Sequence, residues 1–445
     1  MGKKLKVKLD KTLEQRQVIV HPSDMSRLQL HFLPRVILRF GLQVCEVSII
    51  FSESINEQEM FVSKEVVEEL MIPLFAIYEL KYEDNELNLG PNIGLVAAKT
   101  LEELDEKVMK LGRYVRKYDD IGGVILAFSN EGIDIEKRTI IGYVFNHTEK
   151  KWIKGVYPYP LAIFRRSSLS NEWKWHFQSL LGNKIFNSAK FDKWEMYKWL
   201  NVFPELSDFL PDTVLYSSPV DIGEFLEKYQ AAYIKPIKGM QGKKVTKIEK
   251  ETTIIKVQSI VDGEKEEYQF HSQEEANSFL KKSFIPEKFI VQQPLNLKLT
   301  NDVIVDFRVI VVKDQTGEWK VYGVVGRNGV IGNIVSNRHR GGKVEIAKTT
   351  LTRIFEDEKV VNHYLSKLGE VAINAAVAIE RCGMHFGKLG IDLGIDSQGN
   401  VWLIEINHRN PNDFVASFAG NKGLVNKIRY ANMLYAKRLA GFLPD

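Results

Sequence analysis

Two polar residues interrupt an apolar strand near the carboxyl end of the chain, in the run WLIEIN at 402–407. Glu405 and Asn407 stand two apart, so an extended strand turns both to one face. Upstream, GKLGIDLGID and then SQGN lead into this run, and two alternating segments joined by a turn-rich tetrad read as a β-hairpin. With Gln398 and Gly399 at its tip, Asp392 falls opposite Glu405. Leu389, Ile391, Leu393 and Ile395 take the other face, while Gly390 and Gly394 flank Asp392 and leave room for something to approach the sheet. Facing carboxylates repel unless a cation, a proton or an Arg or Lys stands between them. A set of oxygen donors suits Mg²⁺ or Mn²⁺, and Mg²⁺ held this way usually brings substrate phosphates. Three unconnected polar groups on a solvated hairpin would give the same pattern.

A second feature bears on that choice. In AAYIKPIKGMQGKKVTKIEK, residues 231–250, an apolar strand ends at Lys235 and Pro236, a loop carries Gly239 and Gly242, and β-alternation then resumes. Backbone N–H groups of a glycine turn can approach phosphate oxygens closely, and Lys235 adds a point charge. A Walker A loop is excluded, because GxxxxGK[ST] must lead into a helix and here a strand follows. A hairpin with a basic tip is the plainer alternative. Lys238, Lys243 and Lys244 read as surface charges.

The elements that position these residues fall into three regions. At 445 residues the chain is long enough for two or three domains. Residues 1–90 read as a β-rich N-terminal domain built from short runs such as VIVHP, LQLHF and CEVSIIF, with one short helix at 64–71. Residues 91–185 alternate strand and helix, as in GPNIGLVAA, TLEELDEKVMKLGRYVRKY and GGVILAF, which predicts a small α/β domain with parallel strands. From 186 to 445 the order is mixed α+β. Asp192 is placed to cap a helix there, and Val360, Tyr364, Leu368, Val371, Ala375 and Ile379 trace a long amphipathic helix.

Composition narrows the function classes. Apolar runs are too short to span a bilayer, and MGKKLKVKLD carries charge where a signal peptide would be apolar. Lys6 stands where a myristoylation signal has Ser or Thr. Two cysteines, Cys45 and Cys382, make no disulfide framework or zinc motif and fit a reducing cytoplasm. A net charge of +4 from 61 basic and 57 acidic residues gives no nucleic-acid signature, and the basic cluster at 336–343 has only its charge in favour of such binding.

Taken in order from about residue 185, the segments resemble the ATP-grasp superfamily, in which ATP lies between two α+β subdomains. FDKW with Lys193 and YIKP with Lys235 resemble its two ATP-binding lysine regions, and Gly239 and Gly242 its phosphate loop. FIVQQPL resembles the adenine-holding hinge, with backbone groups around Gln293 and Leu295 reading the base. DFRVIVV supplies Arg308 at the phosphate-contacting arginine, and Asp392, Glu405 and Asn407 match the metal triad. SNRHRGG is similar to RimK-type glutamate ligases, where Asn337 matches an asparagine near the transferred phosphate; Arg327 is a second basic candidate. After Asn407 those ligases have small residues, whereas this chain has His408, Arg409, Asn410 and Pro411. Over the whole chain the closer resemblance is to the YheC/YheD family of bacilli, associated with the endospore coat.

The resemblance implies an ATP-grasp fold preceded by the two N-terminal regions, with ATP and Mg²⁺ or Mn²⁺ as cofactors. It implies a ligase that phosphorylates a carboxylate and passes the acyl group to an amine or thiol, Arg308, Arg327 and Asn337 acting at the transferred phosphate. Small-molecule or peptide acids and amines would be its substrates, and other spore coat proteins its partners. The expected location is the cytoplasm, with deposition in the coat. A non-catalytic ATP-binding coat protein is the alternative. None of the nine histidines has metal-ligand spacing with a neighbour, so they read as structural or solvated.

Overall fold

The computed structural model describes residues 3–28, 30, 35–239, 244–261, 264–300, 303–329, 342–408, 411 and 422–442. Four sheets follow one another along the chain. The first is a closed seven-stranded barrel, from Lys4–Leu9 to Glu86–Gly90, with the short helix Lys64–Leu70 where the sequence predicts one. LQLHF was expected as a strand; its Leu28 ends the helix Pro22–Leu28, and most of the remainder lies outside the described residues.

The second sheet is mixed. Asn92–Ala98, Val124–Asp134, Ala162–Arg165 and Ile185–Phe186 run parallel, but Thr139–Asn146 and Lys151–Pro158 add an antiparallel meander at one edge. The single helix expected after residue 99 divides into Leu101–Lys107, a 3₁₀ segment Val108–Tyr114 and the turn of helix Tyr118–Ile121. One apolar core runs through the barrel and the adjoining face of this sheet, joining Leu38 and Tyr78 to Val96, Leu126 and Phe128. The opposite face is covered by the short helices and by the C-terminal helix Lys422–Leu439, through Met433, Tyr435 and Ala436.

The third sheet, Thr213–Leu215 to Glu264–Phe270, packs one face against Pro219–Tyr229 and Gln273–Ser283. The fourth is built on Val303–Lys313, Trp319–Asn328, Lys388–Ile395 and Val401–Asn407. Its apolar residues Phe307, Val309, Val311, Leu389, Ile391 and Leu393 meet the 24-residue helix Glu358–Arg381 through Leu368, Val371, Ala372, Ala375 and Ile379. The opposite face of Val303–Lys313 has two uses. Ile310 and Val312 lie under Val425 and Ile428 of the C-terminal helix, while Asp306 and Arg308 are left beside Asp392. Alternation on one strand thus supplies a core on one side and charged groups on the other.

Candidate functional site

Asp392 pairs with Glu405, as the hairpin symmetry predicts, but the register contains a bulge. Near the tip Leu393 opposes Leu403 and Ile395 opposes Val401; Ile404 is the additional residue before Glu405 meets Asp392. The bulge decides the facing. Strict alternation would put Glu405 and Asn407 with Val401 and Leu403, which are buried in the core. Instead Ile406 joins that core, and Ile404, Glu405 and Asn407 remain partly exposed. A bulge re-aims side chains in this way.

Arginines surround Asp392. Arg308 donates from Nε to Oδ1 and from Nη2 to Oδ2, the latter at 2.8 Å. Arg327 Nη2 lies 3.0 Å from Oδ2, and Asn407 Nδ2 donates to the same oxygen at 3.2 Å. Arg327 Nε donates to Asp306 Oδ1. Asp306 therefore answers Arg327, and is a member of the site that sequence reading did not select. Its position two residues before Arg308, on the same strand face, was the available signal. Asp392 is 4% exposed and Arg308 9%. Burial alone would raise the Asp392 pKa, but Arg308 and Arg327 together hold it below the ordinary carboxylate value. Burial opposes the charge on Arg327, and Asp306 and Asp392 overcome it, leaving its pKa raised.

The glycines beside Asp392 admit protein rather than open space. A Cβ on Gly390 would lie 3.0 Å from Arg308 Cδ and 3.1 Å from Pro411 Cβ, and one on Gly394 would lie 2.6 Å from Leu297 Cδ2. His408 turns inward. Its ring stacks on Phe191 with centroids 3.9 Å apart, and Nε2 accepts from the Phe191 N–H at 3.3 Å.

Phe191 leads directly into the first lysine region. Asp192 caps Lys193–Leu200, its Oδ1 accepting from Trp194 N and Glu195 N at 3.1 and 3.0 Å, while Glu195 Oε2 accepts from Asp192 N at 2.8 Å. Lys193 N–H bonds Ile237 O at 3.2 Å, which ties the helix start to the end of Ala231–Pro236. Lys193 Nζ then donates to Gly239 O at 3.0 Å and lies 3.5 Å from Glu405 Oε1. Lys235 Nζ donates to Gln292 Oε1 at 2.5 Å. Burial and then the neighbouring Lys193 charge bring the Lys235 pKa down to about 8, with Glu405 opposing.

The third and fourth sheets thus approach one another where Lys193, Lys235 and Gly239 meet Glu405. Asp392, Asn407, Arg308 and Arg327 adjoin Glu405. The hinge pair sits differently: Gln293 N–H bonds Asp212 O at 2.9 Å and its Oε1 accepts from Asp212 N at 3.0 Å, so both groups brace the sheet edge. Leu295 O accepts from Leu297 N at 3.1 Å. Gln292, one residue earlier, is the side chain that reaches Lys235. Gly242 and Asn337 lie outside the described residues, as do Arg409 and Asn410.

The donor set fits a divalent cation only in part. Glu405 has its side chain 34% exposed, and among the described residues neither its Oε2 nor Asn407 Oδ1 has a hydrogen-bond partner. A carboxylate accepts about four hydrogen bonds, and the two oxygens of Asp392 already receive that number from Arg308, Arg327 and Asn407. Asp392 becomes a ligand only on release by an arginine. Among the described residues no cluster of three or more His, Cys, Asp or Glu side chains could hold a metal, and no helix is long and apolar enough to cross a membrane.

The endospore coat-associated protein YheD of Bacillus subtilis (strain 168) is 25% identical over 386 residues, 83% of each chain. YheC of the same strain is 24% identical over 219 residues, 49% of this chain and 59% of that protein. Among solved structures, the ATP-grasp ligase PsnB complexed with a minimal precursor, Mg and ADP aligns over 78% of this chain and 98% of its own, at 13% identity and a TM-score of 0.42. The D-alanine-D-alanine ligase from Coxiella burnetii aligns over 78% and 95%, at 12% identity and 0.42. The family model for YheC/D-like ATP-grasp proteins matches residues 182–439, a stretch that holds both facing sheets and more than half of the sequence. The chain therefore belongs to the YheC/D-like ATP-grasp family, and its α+β architecture is the ATP-grasp fold.

Proposed function

We propose that this protein is an ATP- and Mg²⁺-dependent ligase that joins a carboxylate to an amine or a thiol through an acyl phosphate. The observation that carries the reading is the meeting of Lys193 and Glu405 at 3.5 Å beside the Lys235 ammonium. Two cations from one side and a partly open carboxylate from the other suit a nucleotide polyphosphate with its metal.

A free carboxylate is a poor acyl donor. Transfer of the γ-phosphoryl group of ATP to it leaves ADP and installs phosphate as the leaving group; the nucleophile then attacks the acyl carbon, loses its proton and expels phosphate. The protein's task is positioning and charge neutralisation. Lys193 and Lys235 hold the α and β phosphates, and Gly239 and Gly242 are the proposed phosphate-loop glycines. Arg308 takes the γ phosphate, Arg327 and Asn337 steady the transferred group, and backbone around Gln293 and Leu295 reads the adenine. Glu405 and Asn407 would hold Mg²⁺, which would supply neutralisation of phosphate charge, and Asp392 would be available as a further ligand only on release by Arg308 or Arg327. The segments 1–90 and 91–185 are proposed as two domains preceding 186–445, joined by the apolar core they share.

A broad panel of amino acids, small peptides and spore-wall precursors, assayed for ADP release with hydroxylamine as acyl-phosphate trap, tests the reading beside Glu405→Gln. Wild-type-specific ADP and hydroxamate formation supports it. Tight ATP binding with no ADP across the panel sinks it in favour of a second reading. The arginine-filled Asp392 favours that alternative, a non-catalytic ATP-binding protein of the endospore coat in which nucleotide stabilises an assembly. The coat association of YheD and YheC supports a role in spore formation under either reading, in the cytoplasm or deposited in the coat with other coat proteins as partners.

A further inference from the structure

Both carboxylates proposed to hold the divalent ion are already answered by cations of the protein. Lys193 lies 3.5 Å from Glu405, and Arg308 and Arg327 share Asp392. Arg308 faces Asp392 in register on the neighbouring strand, so its paired contacts follow from the sheet as well as from charge. Asn407 donates to the same carboxylate, which turns its nitrogen rather than its oxygen toward Asp392. A divalent ion arriving alone would have to break a buried, two-pronged ion pair and stand beside the arginine it displaced. Both steps cost free energy.

The two arginines are not held alike. Arg327 is tied to two carboxylates, through Nε to Asp306 and through Nη2 to Asp392, and Asp306 is its register partner on the adjacent strand. Among the described residues every polar contact of the Arg308 guanidinium goes to Asp392. Withdrawing Arg327 therefore breaks pairs with two carboxylates, and withdrawing Arg308 a pair with one. Once Arg308 leaves, Asp306 and Asp392 face Arg327 alone, two negative charges against one positive, and the face that bears Glu405 becomes attractive to a cation.

We infer that Arg308 and Lys193 are internal counter-ions that keep the cation site closed until a polyphosphate draws them away, with Arg308 as the arm that moves and Arg327 as the post that Asp306 holds in place. The inference rests on the ligase reading above for which groups meet the nucleotide and its cation. No covalent bond changes; ion pairs are exchanged. Without nucleotide, Glu405 and Asp392 pair with Lys193 and Arg308. With nucleotide, Lys193 and Arg308 pair with phosphate oxygens and the two carboxylates are released to the divalent ion. Coupling of this kind is reciprocal, so the cation strengthens nucleotide binding by the same factor, typically about 5–150-fold.

Titration of the nucleotide-free full chain with Mn²⁺, followed by the electron paramagnetic resonance signal of the free ion, tests this. Arg308→Gln is expected to bind Mn²⁺ at least about tenfold more tightly than the wild type. Adding Glu405→Gln to Arg308→Gln should abolish the gain, which assigns the bound ion to this site. Lys193→Gln should give a smaller gain, and because its pair with Glu405 is long and partly exposed it serves as the test where Arg308→Gln does not fold. Arg327→Gln should gain less than Arg308→Gln, since Arg308 still covers both oxygens of Asp392. Wild-type binding of Mn²⁺ as tight as that of Arg308→Gln and Lys193→Gln overturns the inference, and an equal gain in Arg327→Gln overturns the choice of Arg308 as the arm. ADP release assayed in parallel separates the two proposals. Wild-type ADP and hydroxamate formation with no Mn²⁺ gain in the variants removes only this inference, and a gain with no ADP across the panel removes only the ligase reading.

Discussion

Asp306, Arg327, Asp392 and Arg308 neutralise one another within a single sheet, whereas Lys193 and Lys235 on the opposing side rest against the uncharged oxygens of Gly239 and Gln292. Among the described residues, the carboxylate that approaches these lysines is Glu405, 3.5 Å from Lys193. The quartet is balanced before any ligand arrives, and its cost of burial is offset by pairing. Burial first, and then repulsion from Lys193, lowers the pKa of Lys235. One side is paired within itself; the other, among the described residues, sets two cations against one carboxylate.

Removing one member of the quartet is the strongest way to break this contrast. Asp392→Ala leaves Arg308 and Arg327 buried without their shared anion, and urea denaturation should report a loss of about 3–5 kcal/mol. A loss below about 1 kcal/mol would show that the quartet is not holding the sheet. On the lysine side the balance reverses: Lys235→Met should weaken binding of a fluorescent ATP analogue roughly tenfold or more, while urea stability at neutral pH is kept or raised, because a desolvated charge is replaced by an apolar chain of similar length.

A pH series sharpens the same point. With its pKa at about 8 in the fold against an ordinary 10.5, Lys235 binds its proton more weakly in the folded than in the unfolded chain. Below about 8 both states are protonated and the penalty is full; between about 8 and 10.5 the unfolded state holds more protons, so this lysine makes stability rise with pH. The difference in stability between wild type and Lys235→Met should show that rise, and analogue binding by the wild type should fall as pH passes through 8. The smallest effect belongs to Glu405→Gln. Its pair with Lys193 is long and partly exposed, so thermal and urea stability should move by no more than about 1 kcal/mol, even though ADP release, where present, is lost.

Much of the site was legible along the chain. The spacing of Asp392, Glu405 and Asn407, the cap at Asp192 and the strand ending in Lys235 follow from alternation and capping rules, which depend on near neighbours. The bulge at Ile404 was not legible, because WLIEIN is compatible with strict alternation and only packing of Ile406 against the helix Glu358–Arg381 side of the sheet reveals the extra residue. Gly390 and Gly394 signalled close approach, but not that Arg308 and Leu297 make it. The pairing of Arg327 with Asp306 was hidden for a related reason: it joins neighbouring strands 21 residues apart, and sequence gives no cross-strand register over a loop of unknown length.

Sequence by itself determined the residue types, their local periods and the order of the segments, because these depend on covalent spacing and backbone geometry. Tertiary structure decided which charges meet. It turned Asp392 toward two arginines, left Glu405 for Lys193 and set Lys235 beside Gln292. Electrostatic partnership depends on distance and burial in three dimensions, and strands remote in sequence acquire both only when they pack.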